Sequence, residues 1–425
     1  MYWTTLTVLV TFSCLHLTVL CSADEHNIKT YSADYYDAKD CRLSVADNAV
    51  ALKMPVPFRR DDLHRHSIIY PDSDGRLRVK FLHGFKMSCT TAGKFASADL
   101  SNVTEVLVVC AGDNSLWYLG REYAYADFVC NREPRSELTV TDETCQGDGV
   151  VVAVGFQTES AYLGAYRVCF DKATKNSLYS WYDSRSPYYD QHQSMKKRPS
   201  FVASRQLYGN TNVNKLYTVA QQRKTVAKIL RSDSLANMYI KNDNNHSLSR
   251  GHYTPKADFY FGFEQSATFY YANVAPQWQS FNGYAWNHLE MWTRYRMDNS
   301  TGRRVIVTGT YGSCTLPDVD GVEQPLFLDP PTDIPVPLFY WKLYYDADAE
   351  DGMVYVGLNN PYMKIDESAY ICPNLCPDGY RGNGDTSYVA AAGKNDENDG
   401  LIYCCSKESF EEVYGRLDPI VFRSV

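Results

Sequence analysis

The chain has 425 residues, 44% of them apolar and 22% charged, which is room for two or three ordinary domains with buried cores and excludes a disordered or fibrous polymer. Its 42 basic and 50 acidic residues leave a formal charge of -8, so no chain-wide attraction draws it to nucleic acid or to an anionic membrane, and any anion-binding surface must be local. Thirteen cysteines and 34 tyrosines are the other departures from average usage, and that many cysteines suit an oxidising compartment.

Met1–Ala23 contains no Lys, Arg, Asp or Glu, and Leu6–Leu20 is apolar enough for the core of a secretory signal peptide, with Cys21 and Ala23 at a small-residue cleavage site. Ser13 and His16 interrupt the run, which argues against a membrane anchor, because a span needs about 20 predominantly apolar residues. No later stretch is apolar enough to cross a bilayer, and the expected mature protein is secreted and extracellular. Without Cys14 and Cys21, eleven cysteines remain, so at least one is free or pairs between chains. Cys372-x3-Cys376 with Cys404-Cys405 supplies four thiolates that could hold a tetrahedral zinc ion, but export favours disulfides. Asn-x-Ser/Thr sequons at Asn102, Asn245 and Asn299 fit passage through a secretory pathway.

From Asp24 to Gly149 short alternating runs between turn residues predict a smaller β-rich N-terminal domain, followed by a second domain over 150–425. Pro71–Gly75 is a turn, and the strand after it alternates Arg76, Arg78 and Lys80 with Leu77, Val79 and Phe81, one set to each face. That basic row reads as a solvated sheet face. Glu105–Cys110, Val150–Phe156 and Ala165–Phe170 are further strands, and residues 219–240 and 282–297 suit helices. Strands and helices without regular βαβ alternation predict an α+β fold with a mixed sheet.

Charge is sorted along the chain. Met195–Lys256 holds twelve basic residues against Asp233 and Asp243, a local +10 that leaves -18 on the remainder. Segregation of this kind in an acidic protein suits a focused polyanion-binding surface, with Lys224, Lys228, Arg231 and Lys256 as phosphate contacts; a solvated helix face is the alternative.

The basic segment ends in Leu248-Ser-Arg-Gly-His-Tyr-Thr-Pro-Lys256, followed by Asn273-Val-Ala-Pro-Gln277 and by Phe281-Asn-Gly-Tyr-Ala-Trp-Asn-His-Leu-Glu290. This ordered set resembles the DNA/RNA non-specific endonuclease family, and in particular its secreted arthropod branch of digestive and salivary nucleases that cut double-stranded RNA or DNA. Val307–Gly312 and Ile334–Lys342 are similar to the family's later strands. The resemblance spans roughly Val150 to Cys405 and implies a ββα-metal fold.

The residue types suit hydrolysis of a phosphodiester. A neutral imidazole can take a proton from water near neutral pH, which makes His252 the candidate general base. The resemblance implies that Arg250 lies beside the scissile phosphate, where a guanidinium fork matches paired oxygens. It also implies that Asn282 is the one direct protein ligand of a divalent ion, Mg2+ with Mn2+ as a substitute; Mg2+ keeps most of its waters and tolerates few protein ligands. If Asn282 opens a helix, Trp286 and Glu290 share one face with it, and Glu290 supports the ion through its water shell. Asn273 helps hold the site. Arg223 is a weak candidate for a further family arginine.

Ser249 stands where much of the wider family has Asp, and Tyr253 and Gly283-Tyr284 also depart from its pattern. Asp346–Gly352 has the look of a calcium loop but lacks Gly at the sixth position and Glu at the last, and reads as an acidic turn. These readings converge on a secreted, metal-dependent endonuclease acting on DNA or RNA with little sequence preference. The alternative is a nuclease-derived protein that binds nucleic acid with little or no turnover.

Overall fold

The computed structural model describes residues 39–45, 53–60, 65–91, 93–184, 198–243, 245–298, 302–376 and 400–423, with the backbone of three short strands, Leu9–Ser13, His16–Leu20 and Thr30–Ser32. Those three strands pair antiparallel. The rest of the expected Met1–Ala23 leader, and Asn299 of the third sequon, lie outside the described residues.

In the N-terminal region Arg121–Ala124, Ser115–Tyr118, Glu105–Gly112, Gly84–Ser88, Val56–Arg60 and His66–Ile68 form, in that spatial order, a six-stranded antiparallel sheet. A two-stranded ribbon of Cys41–Ser44 and Arg76–Val79 lies with it. The alternation in Arg76–Val79 is obeyed: Leu77 and Val79 are buried while Arg76 and Arg78 are exposed, Arg78 pairing with Asp72 and Asp74. The basic row is therefore a solvated, acid-matched face. Cys41–Cys110 and Cys89–Cys130 staple this region.

The larger layer is an eight-stranded antiparallel sheet. Its strands are β1 (Glu137–Cys145), β2 (Gly149–Gln157), β3 (Tyr162–Asp171), β4 (Asn176–Asp183), β7 (Arg304–Ser313), β8 (Pro337–Asp346), β9 (Asp351–Leu358) and β10 (Ile402–Ser406), in that spatial order. The sheet starts at Glu137, inside the stretch assigned from sequence to the N-terminal unit. Both faces are covered, which is why β8 reads as a nearly continuous apolar run. Phe339, Trp341 and Leu343 point into one core, against Phe410 of helix α4 (Lys407–Tyr414), while Tyr340 and Tyr344 point into the other. Asp346 turns the chain between β8 and β9 by accepting from the Asp348 and Ala349 amides, an acidic turn as expected.

The second face carries helix α1 (Val219–Leu230), helix α2 (Asp233–Tyr239), a hairpin of β5 (Leu248–His252) and β6 (Val274–Trp278), and helix α3 (Ala285–Asp298). Trp286 and Trp292 of α3 meet Tyr340 and Tyr355 of the sheet at 5.4 and 4.8 Å between ring centroids. The N-terminal region joins this same core. Tyr70 stacks on Phe261 at 5.7 Å and donates to the buried Glu264 carboxylate at 2.6 Å. Ser266 donates to Glu133 at 2.6 Å, and the Tyr270 hydroxyl to the Ser136 carbonyl at 2.9 Å. The architecture is α+β, with a β-rich N-terminal region.

The cysteines form disulfides rather than a zinc site: Cys145–Cys169, Cys372–Cys405 and Cys376–Cys404 complete the set, and Cys314 is free and buried.

Candidate active site

The Arg-Gly-His sequence lies on β5, which pairs antiparallel with β6 so that Arg250 faces Pro276 and His252 faces Val274 in register. Alternation sends Ser249 and Gly251 to one side and Arg250 and His252 to the other. Gly251 is seated on the sheet. A Cβ there would lie 2.2 Å from Gln277 Oε1 and 2.7 Å from the Tyr340 hydroxyl, so no larger residue fits without moving buried neighbours.

On the opposite side an aromatic wall receives the two charged groups. The Arg250 guanidinium sits over Tyr217, Phe201 and Tyr271 at 4.9, 5.4 and 5.6 Å from their ring centres. Its Nη2 donates to Asn214 Oδ1 at 2.9 Å and its Nε to the Tyr271 hydroxyl at 3.2 Å. Two of five N–H donors are thus used to fix the plane, and the others remain for a ligand. The His252 ring packs on Phe201 and Phe269 at 5.4 and 5.5 Å. Its Nε2 is enclosed and has no hydrogen-bond partner. Burial pushes its pKa down to about 4, with Arg198 and Lys256 adding to the effect, so the imidazole is neutral at neutral pH.

Asn273 sits behind that strand, wholly buried. Its Oδ1 accepts from Thr254 N at 2.9 Å, and its Nδ2 donates to the carbonyls of Thr254 at 2.9 Å and Thr268 at 3.0 Å. Every hydrogen of the amide is committed to backbone. Asn273 is a clamp on the loop that follows His252, which agrees with a holding role and leaves it no N–H for a substrate.

Asn282 departs from expectation in one respect. It lies in a short helix, Gln279–Gly283, and Tyr284 breaks the path with φ -114 and ψ -94 before α3 begins at Ala285. Asn282 therefore does not open the helix that carries Trp286 and Glu290; Gly283-Tyr284 interrupts it. Its Nδ2 donates to Ser249 Oγ at 3.0 Å, and Ser249 in turn donates to the Gln277 carbonyl at 2.9 Å. The amide is anchored to β5 through Ser249, on the side that alternates with Arg250 and His252. Glu290, half-buried on α3, has its carboxyl pushed up to about 7 by burial, against the pull of Lys342 and Arg294 and with Asp258 adding to the rise.

The basic segment is dispersed. Lys224 and Lys228 are exposed one turn apart on α1, whose other face buries Gln222, Val226 and Leu230. Gln222 joins α1 to β5 by exchanging hydrogen bonds with Leu248, 2.8 Å to its carbonyl and 2.9 Å from its amide. Arg231, at the left-handed C-cap of α1, is engaged by Asp318 and Asp320, so its charge is already offset. Arg223 donates to the Ile240 carbonyl at 2.7 Å and braces α2 instead of the site. Lys256 lies near Arg198, and burial together with that arginine lowers its pKa.

A family model for DNA/RNA non-specific endonuclease matches residues 147–410. The chain belongs to that family. It is 27% identical over 378 residues to a salivary endonuclease of Lutzomyia longipalpis, covering 88% of this chain and 83% of that protein. It is 24% identical over 335 residues to salivary protein Tsal2A of Glossina morsitans morsitans, covering 72% and 79%, and 22% identical over 377 residues to Tsal1 of the same fly, covering 86% and 88%.

The family is generally metal-dependent, and the donor set can be tested for fit. Among the described residues no cluster of three or more His, Cys, Asp or Glu could cage an ion. One half-buried amide, with its N–H side held by Ser249 and its oxygen free of that bond, suits a hard cation that retains most of its water. Asn282 fits that role. Sequence reading missed Arg198, whose charge acts on His252 and which precedes Phe201 of the aromatic wall by three positions, because no spacing rule ties it to the Arg-Gly-His run. Asp258, Arg294 and Lys342 were also missed, although Arg294 follows Glu290 by one helical turn. No helix among the described residues is long and apolar enough to cross a membrane.

Proposed function

We propose that this family member is an exported, Mg2+-dependent endonuclease that hydrolyses DNA or RNA phosphodiesters, double-stranded substrates included, with little sequence preference. The observation that carries the reading is His252: a neutral imidazole with an unbonded Nε2, held on an aromatic wall beside the cations Arg198 and Lys256. A buried polar atom without a partner calls for one, and an attacking water supplies it. Nε2 accepts the proton from that water. The incoming phosphate, an anion beside the ring, raises the imidazole's proton affinity at the moment it is needed.

Arg250, its plane fixed by Asn214 and Tyr271, offers its remaining N–H groups to the phosphate oxygens, and Arg198 and Lys256 add positive potential. Asn273 holds the loop after His252. The carboxylate of Glu290 and the amide oxygen of Asn282 would hold and support the ion, which when bound neutralises charge developing on the phosphate and leaving oxygen. Lys224 and Lys228 extend the positive surface for the nucleic-acid backbone. Residues 24–149 act as a supporting β-rich unit and 150–425 as the nuclease unit.

The test is digestion of plasmid DNA and double-stranded RNA with Mg2+, with Mn2+, with chelator, and by His252→Ala. Cleavage that vanishes in chelator and in the variant, while the variant still binds, supports the reading. A binding protein without turnover is favoured by one observation, the attachment of Asn282 to the Ser249 side of β5 instead of the His252 side. Salt-sensitive binding with intact substrate in every lane would establish that second reading.

A further inference from the structure

Ser249, the residue ahead of Arg-Gly-His, has no part in the proposed mechanism, and the hydrogen bonds around it decide how Asn282 is turned. Three alternate residues of one segment hold the short helix Gln279–Gly283. The carbonyl of Asn245 accepts from Ser280 N at 3.1 Å, the carbonyl of Ser247 accepts from Gln279 N at 2.9 Å, and Ser249 Oγ accepts from Asn282 Nδ2 at 3.0 Å. The first two bonds satisfy amides at the start of the helix, which have no partner within it. The turn that supplies them is itself tied down, because the Asp243 carboxylate accepts from Asn245 N at 2.9 Å and from His246 N at 2.7 Å. The helix backbone is thus held by Asn245 and Ser247, and Ser249 acts on a single side chain.

A serine hydroxyl carries one proton and two lone pairs. That proton is in use: Ser249 Oγ donates to the Gln277 carbonyl on β6 at 2.9 Å, and a carbonyl can only accept. Toward Asn282 the same oxygen is therefore an acceptor, and only the NH2 edge of the amide can answer it. A flipped amide would set Oδ1 against Oγ with no proton between them. Nδ2 is held to β5, and Oδ1, the atom of this side chain able to meet a cation, is directed away from Ser249. Arg250, the next residue, points to the other side of β5, so adjacent positions of one strand set the ion's ligand and the phosphate contact.

We propose that Ser249 is a positioning residue for the metal ion: its hydroxyl, with its proton committed to Gln277, locks the Asn282 amide in the orientation that presents Oδ1 to the cation. The proposal rests on the reading of Asn282 given above. An amide free to flip presents its oxygen only part of the time, and groups that orient a metal's ligand are worth about 10–100-fold in metal affinity.

The test uses Mn2+ alone, added to the full chain without nucleic acid, with the free ion read by electron paramagnetic resonance. In Ser249→Ala, Mn2+ binds about tenfold more weakly, while affinity for a DNA duplex in chelator keeps its wild-type value. Ser249→Thr, which retains the hydroxyl, restores Mn2+ binding. Ser249→Cys, whose sulfur is a weak acceptor, lowers it as Ala does and serves if the Ala variant does not fold. In an Asn282→Ala background, Ser249→Ala changes nothing further. Unchanged Mn2+ affinity in a folded Ala or Cys variant overturns the proposal, and so does a loss that Thr fails to restore or that persists without Asn282. If Asn282→Ala alone binds Mn2+ as tightly as the wild type, the reading of Asn282 as the ligand falls, whatever the Ser249 variants do.

Discussion

Asn273 offers the sharpest test of how the site is held. Its side chain satisfies one buried N–H and two buried carbonyls, all within 3.0 Å. Truncation in Asn273→Ala orphans those three backbone groups, at about 1–3 kcal/mol each. The sum, roughly 3–9 kcal/mol, is a large part of the ~5–15 kcal/mol that holds an ordinary domain together. Asn273→Asp isolates the donors. The new carboxyl keeps the bond from Thr254 N, but when ionised it faces two carbonyls with negative charge, so burial raises its pKa above the unfolded value of about 3.9. A carboxyl whose folded pKa is raised stabilises fully below the unfolded pKa and loses that stability as pH rises through the folded one. Asn273→Asp is therefore less handicapped at pH 4 than at pH 7, relative to the wild type at each pH. Urea unfolding followed by tryptophan fluorescence reads both variants. An Ala variant within 1 kcal/mol of wild type (estimated as for any buried amide), or an Asp variant with the same deficit at both pH values, would refute the clamp.

Gly251→Ala places a methyl 2.2 Å from Gln277 Oε1 and 2.7 Å from the Tyr340 hydroxyl; it costs about 1–3 kcal/mol in overpacking and shifts the urea midpoint, and an unshifted midpoint means β5 is not seated on the sheet. His252 has a folded pKa of about 4, below its unfolded value of about 6.5, so it contributes stability above pH 6.5 that is lost as pH falls toward 4, up to ~3 kcal/mol. His252→Gln flattens that part of the stability profile, and a profile parallel to wild type counts against the enclosed imidazole. Lys224→Gln with Lys228→Gln lowers the slope of log affinity against log salt by about 2 for nucleic-acid binding, whereas Arg231→Gln changes it by less than about 1 because Asp318 and Asp320 already match that charge; equal slopes for all three would remove α1 from the binding surface.

Local chemistry was legible in the sequence where a residue type and its spacing dictate one outcome. Arg76–Val79 had to alternate, and does. The strands at 150–156 and 165–170 and the helices at 219–240 and 282–297 were visible from period and apolar content, and α1 ends where Arg231 adopts the left-handed conformation. What sequence hid is long-range pairing. Arg231 looked unopposed because its nearest acids in the chain are few, yet it meets Asp318 and Asp320, separated by 87 and 89 positions. Asn282 and Glu290 looked like one helical face, and the break at Tyr284 splits them. Lys342 looked like the end of an apolar strand, and only the packing of α3 on β8 reveals that its ammonium lies over the Trp286 ring.

The N-terminal region bears on the site through packing. The stretch from Pro255 to Tyr270, which follows His252, is gripped on its inner side by Asn273 and on its outer side by Tyr70, Glu133 and Ser136. Glu264 shows how strict that grip is. Its wholly buried carboxylate accepts from the Tyr70 hydroxyl and from Phe261 N, and a buried carboxylate deprived of its donors is expensive. The same stretch carries Lys256 and Asp258, the first beside His252 and the second paired with Arg294. The imidazole and the Asp258–Arg294 pair are thus tied through one loop, and the β-rich region closes that loop from outside. A nuclease core lacking residues 24–149 would leave Glu264, Ser266 and Tyr270 without these partners, next to the loop that carries Lys256 and Asp258, so the N-terminal region helps to hold that loop in place.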